Sequence, residues 1–451
     1  MGAYESLRNF IRGRLGKQTQ DELRVGFSDS RGEAAAYSIE GMASRTLANL
    51  VCGGYELRIG GTSARAVTLD GVATMFTQSS LTKLVTQAML YGDAIAVPQW
   101  DGRDIRHVII SKDAFFILAS RGDEITDVVY VAESKTAGAI RYQLLQRMTL
   151  EDWDAATATG TAHMRLYAVS QSGSEVDINH FPDWAQYTRE WYIPSVHRLP
   201  LGRVKSPSVD TRDPNGTYGA PICWGASSFI REIHYLIQQQ HAEFELSEKS
   251  IIAEKSMFVE RKGEGVTMPH GKQRLYMLTH GSKNLDESSG MKEWAPTIQN
   301  TPYEEATQQQ LRLVEKAIGV DTGILSKPSD ESYQNVDNVR KSTRNTQSFV
   351  SSWRNACDVA IEQLTEAWDI ILNYYGLPTG GFDARSEWSD DYINTFADQR
   401  DALLSGMDWA TDALDYRLFI LGEPSEIAKQ RIQEIQAAKA AQNSLISLAD
   451  E

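Results

Sequence analysis

Four carboxylates, Asp383, Glu387, Asp390 and Asp391, crowd around Trp388, and they are the first place in this chain where residue types and spacing could do chemistry. Clustered acids can hold Mg2+ or Ca2+; beside an aromatic platform, they can also supply the acid and base of a glycoside hydrolase. The plainer expectation is a solvated acidic turn running into a helix start, where the helix dipole favours negative charge. His234 and His241 stand seven apart on one helical face, which separates them by about 10 Å. Zinc-binding helices space their ligands by three or four and add a third, so the two read as ordinary surface or interface histidines. Cys52, Cys223 and Cys357 form no CxxC or Cys/His cluster and read as buried free thiols of a reducing compartment. The chain holds no GxSxG, no Walker A lysine loop, no HExxH and no GxGxxG after a strand. It therefore offers no catalytic residue, no metal and no cofactor.

The elements that must position any site are set by a chain of 451 residues, 41% hydrophobic, with 60 acids against 45 bases, a net charge of -15 and a pI near 5.1. That is enough for several domains or one large discontinuous body. The acidity argues against tight wrapping of nucleic acid, which needs a basic footprint, but not against a protein that DNA slides past. No apolar run approaches the roughly 20 residues that span a bilayer, and no secretory segment follows the start, so the expected place is the cytoplasm of the producing cell. The opening MGAYESLRNFIRGRLGK fits a short myristoylation pattern. A basic amphipathic helix carrying Leu7, Phe10, Ile11 and Leu15 explains the same residues.

Periodicity divides the chain further. Residues 40 to 50 and 77 to 91 have helical spacing, and from there to about 200 short alternating strands are parted by Asp-Gly and Arg-Gly-Asp turns, so this is an antiparallel meander. Arg121-Gly122-Asp123 reads as a tight turn. A helix is expected at about 222 to 249, small strands over 250 to 300, and a second helix through Tyr303, Leu311, Val314 and Ile318 that stops near Gly319. Then comes GILSKPSDESYQN, a polar loop, before the strongest helical pattern, about 336 to 375, stepping through Val350, Trp353, Cys357, Ile361, Leu364, Trp368, Ile371 and Tyr375. The last quarter is helical and acidic, with ten acids against five bases from 398 onward.

In this order the chain resembles the portal proteins of tailed bacteriophages of the siphovirus type. The stretch LVTQAMLYGDAIAVPQWDGRDIRHVIISKDAFFI is similar to a portal wing, YGAPICWGASSFIREIHYLI to the start of a stem helix, and GVDTGILSKPSDESYQNVDNVRKSTRNTQSFVSSWRNACDVAIEQL to a tunnel loop with its long kinked helix. WSDDYINTFADQRDALLSGMDWATDAL and SEIAKQRI are similar to the region after it. The resemblance covers about residues 35 to 440, and its specificity lies in the order of diffuse patterns.

The fold it implies is α+β: an N-terminal arm (1–24), an α/β wing (25–212), a stem helix (213–249), a small β-rich clip (250–301), a second stem helix (302–318), a tunnel loop (319–336), a long helix and wing return (337–389), and a helical crown (390–451). It further implies a non-enzymatic ring of twelve copies at one capsid vertex of a virion assembled in the bacterial cytoplasm. Double-stranded DNA would pass through the ring without sequence reading. Partners would be the terminase large subunit, the major capsid and scaffold proteins and a head-tail adaptor, with no membrane. Ser326, Lys327, Ser329, Asp330, Glu331, Tyr333, Gln334 and Asn335 would touch the duplex. Lys255, Arg261, Lys262, Lys272 and Arg274, in a segment with seven bases against six acids over 250–296, would face the motor and adaptor. Two rivals remain: a cytoplasmic glycan-active hydrolase using the acids near Trp388, and a virion structural or scaffold protein without a channel.

Overall fold

A computed structural model of the chain describes residues 26–28, 34–36, 38–138, 140–170, 173–208, 217–246, 250–254, 260–261, 265–266, 276–279, 291–294, 300–327, 344–376, 378, 380–388 and 429–430, with only the backbone course over 26–36 and 245–300. Two short strands, β1 (Gly26–Ser28) and β2 (Ala34–Ala36), pair antiparallel. Helix α1 (Ile39–Cys52) starts at Ser38, whose hydroxyl accepts the Gly41 amide at 2.9 Å, a side-chain cap for an otherwise orphaned donor. After β3 (Tyr55–Gly60), α2 (Ala64–Ser79) starts the same way at Ser63 and buries Ala66, Leu69, Val72, Ala73 and Phe76. The sequence reading began this helical region only at 77, because Gly71 and three threonines dilute the periodicity of α2.

Helix α3 (Leu81–Tyr91) ends at Gly92 with φ +89°, where an added Cβ would lie 2.2 Å from the Gly219 carbonyl oxygen. Only glycine fits that left-handed turn and that close approach. The chain leaves it directly into β4 (Asp93–Trp100) and returns as β5 (Ile105–Ser111); with β12 (Gly202–Lys205) these form a three-stranded sheet in the order β12-β4-β5. The expected meander follows as β6 (Phe115–Arg121), β7 (Glu124–Ala137), β8 (Ile140–Asp154), β9 (Thr159–Ser170), β10 (Glu175–Val176) and β11 (Glu190–Val196). It forms one six-stranded antiparallel sheet, β10-β9-β8-β7-β6, with β11 also on β9. The Arg121-Gly122-Asp123 triplet closes the β6–β7 hairpin, with Gly122 at φ +64° and an Arg121–Glu124 ion pair at 2.8 Å.

Helices α4 (Ser227–Leu246) and α5 (Asn300–Ile318) pack against each other. Between them in sequence lie β13 (Ser250–Glu254), β14 (Glu260–Arg261), β15 (Gly265–Val266), β16 (Tyr276–Thr279) and β17 (Met291–Trp294). β13 is central, parallel to β16 and antiparallel to β17. The long helix α6 (Arg344–Tyr374) then crosses α1, α2, β4, β11 and β12, and β18 (Asp383–Trp388) pairs with β3 in the register Asp383↔Gly60 to Trp388↔Tyr55. The acids Asp383 and Glu387 thus lie on a strand, which corrects the expected acidic turn and helix start.

The main core joins Leu47, Leu69, Phe76, Leu84 and Met89 of the N-terminal helices to Ile233, Val314 and, on α6, Val350, Trp353, Leu364 and Trp368. A second core, with Ile95, Val97, Phe115, Val128, Tyr130 and Met164, fills the space between the two sheets and reaches Ile370 of α6. Trp368 links α6 to the small sheet: its indole Nε1 donates to His107 Nε2 at 2.6 Å, and Phe76 packs against both rings, tilted to the imidazole and edge-on to the indole. Burial pushes the His107 imidazole down from 6.5 to about 4. An unfolded chain therefore binds a proton there that the native chain refuses, so native stability is complete above pH 6.5 and falls as pH drops toward 4. Urea unfolding of the parent and of His107→Gln across pH 7 to 4 should show the parent losing up to about 3 kcal/mol more than the variant; parallel curves would remove His107 as the cause.

Candidate functional site

The polar segment after α5 is built around one buried carboxylate. At its C-terminus α5 turns through Gly319, φ +91°; the Gly319 and Val320 amides both donate to the Glu315 carbonyl at 3.0 Å, a left-handed helix stop. Val320 is buried in the main core, which pulls the following residues back over the helix. The Glu315 side chain, fully shielded from solvent, meets them there. Its Oε1 accepts the amides of Gly323 (3.1 Å), Leu325 (2.5 Å) and Ser326 (2.8 Å), and its Oε2 accepts Gly323 (3.2 Å) and the Ser326 hydroxyl (2.8 Å). Burying a carboxylate is costly unless its lone pairs are filled. Here backbone N–H groups fill them in a concave nest, and Gly323 at φ +103° lets the chain curl tightly enough to do so.

A second carboxylate ties this turn to the long helix. Asp321 Oδ2 accepts the Thr346 amide at 2.9 Å and the Thr346 hydroxyl at 2.8 Å, and the Asp321 amide donates back to the Thr346 hydroxyl at 3.0 Å. Negative charge at the first turn of α6 is favourable with the helix dipole. Beyond Ser326 the Lys327 amide donates to Gln308 Oε1 at 2.7 Å, and its ammonium pairs with Glu304. The chain therefore runs back along α5, passing first Glu315, then Gln308 and Glu304.

Of the residues expected to touch DNA, Ser326 is buried, with 6% of its surface exposed, and its hydroxyl is committed to Glu315. It holds the turn, because a buried carboxylate needs its lone pairs filled. Lys327 is exposed but neutralised by Glu304. Ser329, Asp330, Glu331, Tyr333, Gln334 and Asn335 lie outside the described residues, as do Lys255, Lys262, Lys272 and Arg274. Arg261 is placed by its backbone alone, opposite Gly265 on the β14–β15 pair. Sequence reasoning passed over Glu315, Asp321 and Thr346. The signal for Glu315 was an acid set among the apolar positions Leu311, Val314 and Ile318 of α5.

The other chemistry candidates are also placed. Asp383 pairs with Arg385 along β18, and Trp388 packs on Tyr55, donates its indole N–H to Asp358 at 2.9 Å and lies under the Arg354 guanidinium. That tryptophan is a packing residue, so it offers no platform to a sugar; Asp390 and Asp391 lie outside the described residues. His234, expected at a surface or an interface, is buried within the chain at 3% exposure, while His241 is exposed. Burial pushes the Cys52 and Cys223 thiols up to about 12 and Cys357 well above its usual value, which leaves them protonated and inert. Among the described residues no group of three or more His, Cys, Asp or Glu is arranged to hold a metal ion, and no helix is long and apolar enough to cross a membrane.

No protein-family model matches the chain, and no curated protein matches it. Among solved structures it is similar to a chain in the neck of an empty GTA particle computed with C6 symmetry, with 13% identity over 91% of this chain and 95% of that one and a TM-score of 0.39. A superposition that loose carries no argument about what this chain does.

Replacing Glu315 by Gln puts a donor where an acceptor is required and should destabilise the protein by about 2–4 kcal/mol. The amides of Gly323, Leu325 and Ser326 should lose protection from hydrogen exchange. Glu304→Gln removes only an exposed ion pair and should cost about 0–1 kcal/mol. Equal effects of the two on urea unfolding would refute the buried nest.

Proposed function

We propose that the chain is a structural subunit of the neck of a phage-like particle and, more specifically, its portal: a ring through which double-stranded DNA is packaged and later ejected. The observation that carries this reading is the run of elements at the functional site. Two packed helices with a small β-insertion between them lead straight into a turn fixed at Glu315 and tied through Asp321 to the head of the longest helix among the described residues. In the proposal α4 and α5 are the stem, β13–β17 the clip, and the segment after Lys327 the channel surface.

A ring needs a heterologous contact that closes. The stem offers apolar surface for one, since Tyr235 and Phe244 of α4 are 53% and 42% exposed. The charge of -15, repeated around the axis, keeps phosphate contacts few, and Lys327, already paired with Glu304, adds little counterion-releasing attraction. Both features favour sliding over holding. Motive force would come from a separate terminase, docking with an adaptor at the less acidic clip, and capsid and scaffold proteins would surround the wing. The glycan-hydrolase rival loses its support once Asp383 and Glu387 lie along an exposed strand and Trp388 is packed on Tyr55.

Native mass spectrometry and negative-stain microscopy of the purified chain should show rings of about twelve copies with an axial hole. Replacing 328–334 by a Gly-Ser link, which spares Ser326 and Lys327, should leave the rings intact and lower packaged-genome yield in a complementation assay. Tyr235→Asp together with Phe244→Asp should leave folded protein that no longer closes rings. A uniform monomer from the parent chain would sink the proposal.

A further inference from the structure

Away from the loop, the described residues form a large cleft of about 620 Å³, the size that takes a drug-sized ligand or a few large side chains. It opens between the two sheets at the C-terminal end of α6. Trp100, Tyr187, Trp191, Tyr374 and Tyr375 wall it, over a floor that includes Met148 and Met164. The rim residues Tyr187, Tyr374 and Tyr375 are 39%, 42% and 50% exposed, so large aromatic surface is left facing water around an apolar floor, which is uncommon unless something covers it.

The polar content of the cleft states what would cover it. Glu133 lines the wall, and both its oxygens are held by neutral donors, the Trp184 indole N–H and the Tyr187 hydroxyl, each at 2.7 Å. The cation on the same strand, Lys135, is engaged by Asp183 at 2.6 Å instead. A carboxylate among aromatic faces suits a cationic and apolar partner, through charge and through cation–π contact. Residues 4–17, YESLRNFIRGRLGK, have that composition: Arg8, Arg12, Arg14 and Lys17 against Glu5, with Leu7, Phe10, Ile11 and Leu15 at the spacing of one helical face. The other long terminal segment, from 398 onward, carries ten acids against five bases and would be repelled by Glu133.

We propose that this aromatic cleft is a docking site for the basic, amphipathic segment 4–17 of this chain, with Phe10 and its apolar neighbours in the cleft and an arginine at Glu133. The proposal does not rest on the ring reading. It holds whether the segment reaches its own cleft or that of a second copy, and the test separates the two.

The test places a photo-cross-linking benzoylphenylalanine at position 10 of the full chain, with a control at Phe419, and uses a mixture of 14N- and 15N-labelled chains. Position 10 should cross-link to peptides containing 97–100, 187–193 or 371–375, and position 419 should not. Mixed-isotope products assign the contact to a second copy, and single-isotope products to the same one. Glu133→Gln, which keeps one acceptor oxygen for the Trp184 indole and offers the Tyr187 hydroxyl an amide N–H to accept, should lower the yield by about fivefold. Cross-links from position 10 mainly elsewhere, none at all, a cleft reached from position 419 instead, or an unchanged yield in Glu133→Gln would each overturn the proposal.

Discussion

Covering the long helix is the constraint on which the rest of the structure depends. Thirty-one residues of α6 make a rod of about 46 Å, and a helix that long needs partners along its length. Its apolar face is wide: Trp353, Cys357, Leu364 and Trp368 have no exposed surface, and Phe349, Ile361 and Ile371 have little. No single neighbour spans it. The N-terminal helices cover one part, β4 and β12 another, and the chain beyond α6 doubles back as β18 to complete the layer begun by β3. Polar ties fix the alignment. The Arg203 amide donates to Gln363 of α6 at 2.9 Å, while the Arg203 guanidinium is locked to Asp93, whose carboxyl burial alone would push up. Such a buried pair sets geometry more than it adds stability.

That fixed scaffold makes the Glu315 nest possible. A carboxylate with no solvent contact can be tolerated only where donors are held in place, and backbone amides are held only if the chain carrying them is itself anchored. Both anchors stand just before the nest. Val320 is packed into the main core, and Asp321 is bound to the first turn of α6. Packing thus sets the turn, the turn aims three amides and a hydroxyl inward, and the carboxylate repays its desolvation by closing them. Removing the packing would leave the charge unmatched; removing the charge would leave the amides unmatched.

The sequence displayed the parts of this fold that follow from periodicity. The steps of α6, the alternation of β4 to β9 and the Gly-terminated end of α5 are all local patterns, and these elements stand where the patterns put them, α6 running from Arg344 to Tyr374 within an expected 336 to 375. Helix α2 stayed hidden because its apolar positions, small alanines and valines with only Leu69 and Phe76 larger among the buried ones, are spread among threonines and Gly71, so its stability comes from Ser63 and from the layer it joins. Strand β18 was misread because DARSEW is polar at four of its six positions; only pairing with β3, more than 300 residues earlier in the chain, makes it a strand. The candidate site was half legible. A polar loop between helices marked the place, but the residue that organises it is an acid on the apolar side of α5, and composition alone cannot tell an acid facing water from one facing inward.

Polarity in the segment 323–335 therefore has two separate origins. In GILS the polar atoms are consumed internally: the amides of Gly323, Leu325 and Ser326 and the Ser326 hydroxyl all turn toward Glu315, and such groups are polar because a buried carboxylate requires them. Lys327, by contrast, sends its side chain outward to an exposed partner, Glu304. Groups that satisfy an internal charge cannot also serve a passing ligand, since each donor is already spent on a charge-assisted bond worth more than a transient contact. A working surface on this loop must then begin after the nest. The nest ends at Ser326, the fourth residue of a stretch whose composition had suggested a single role.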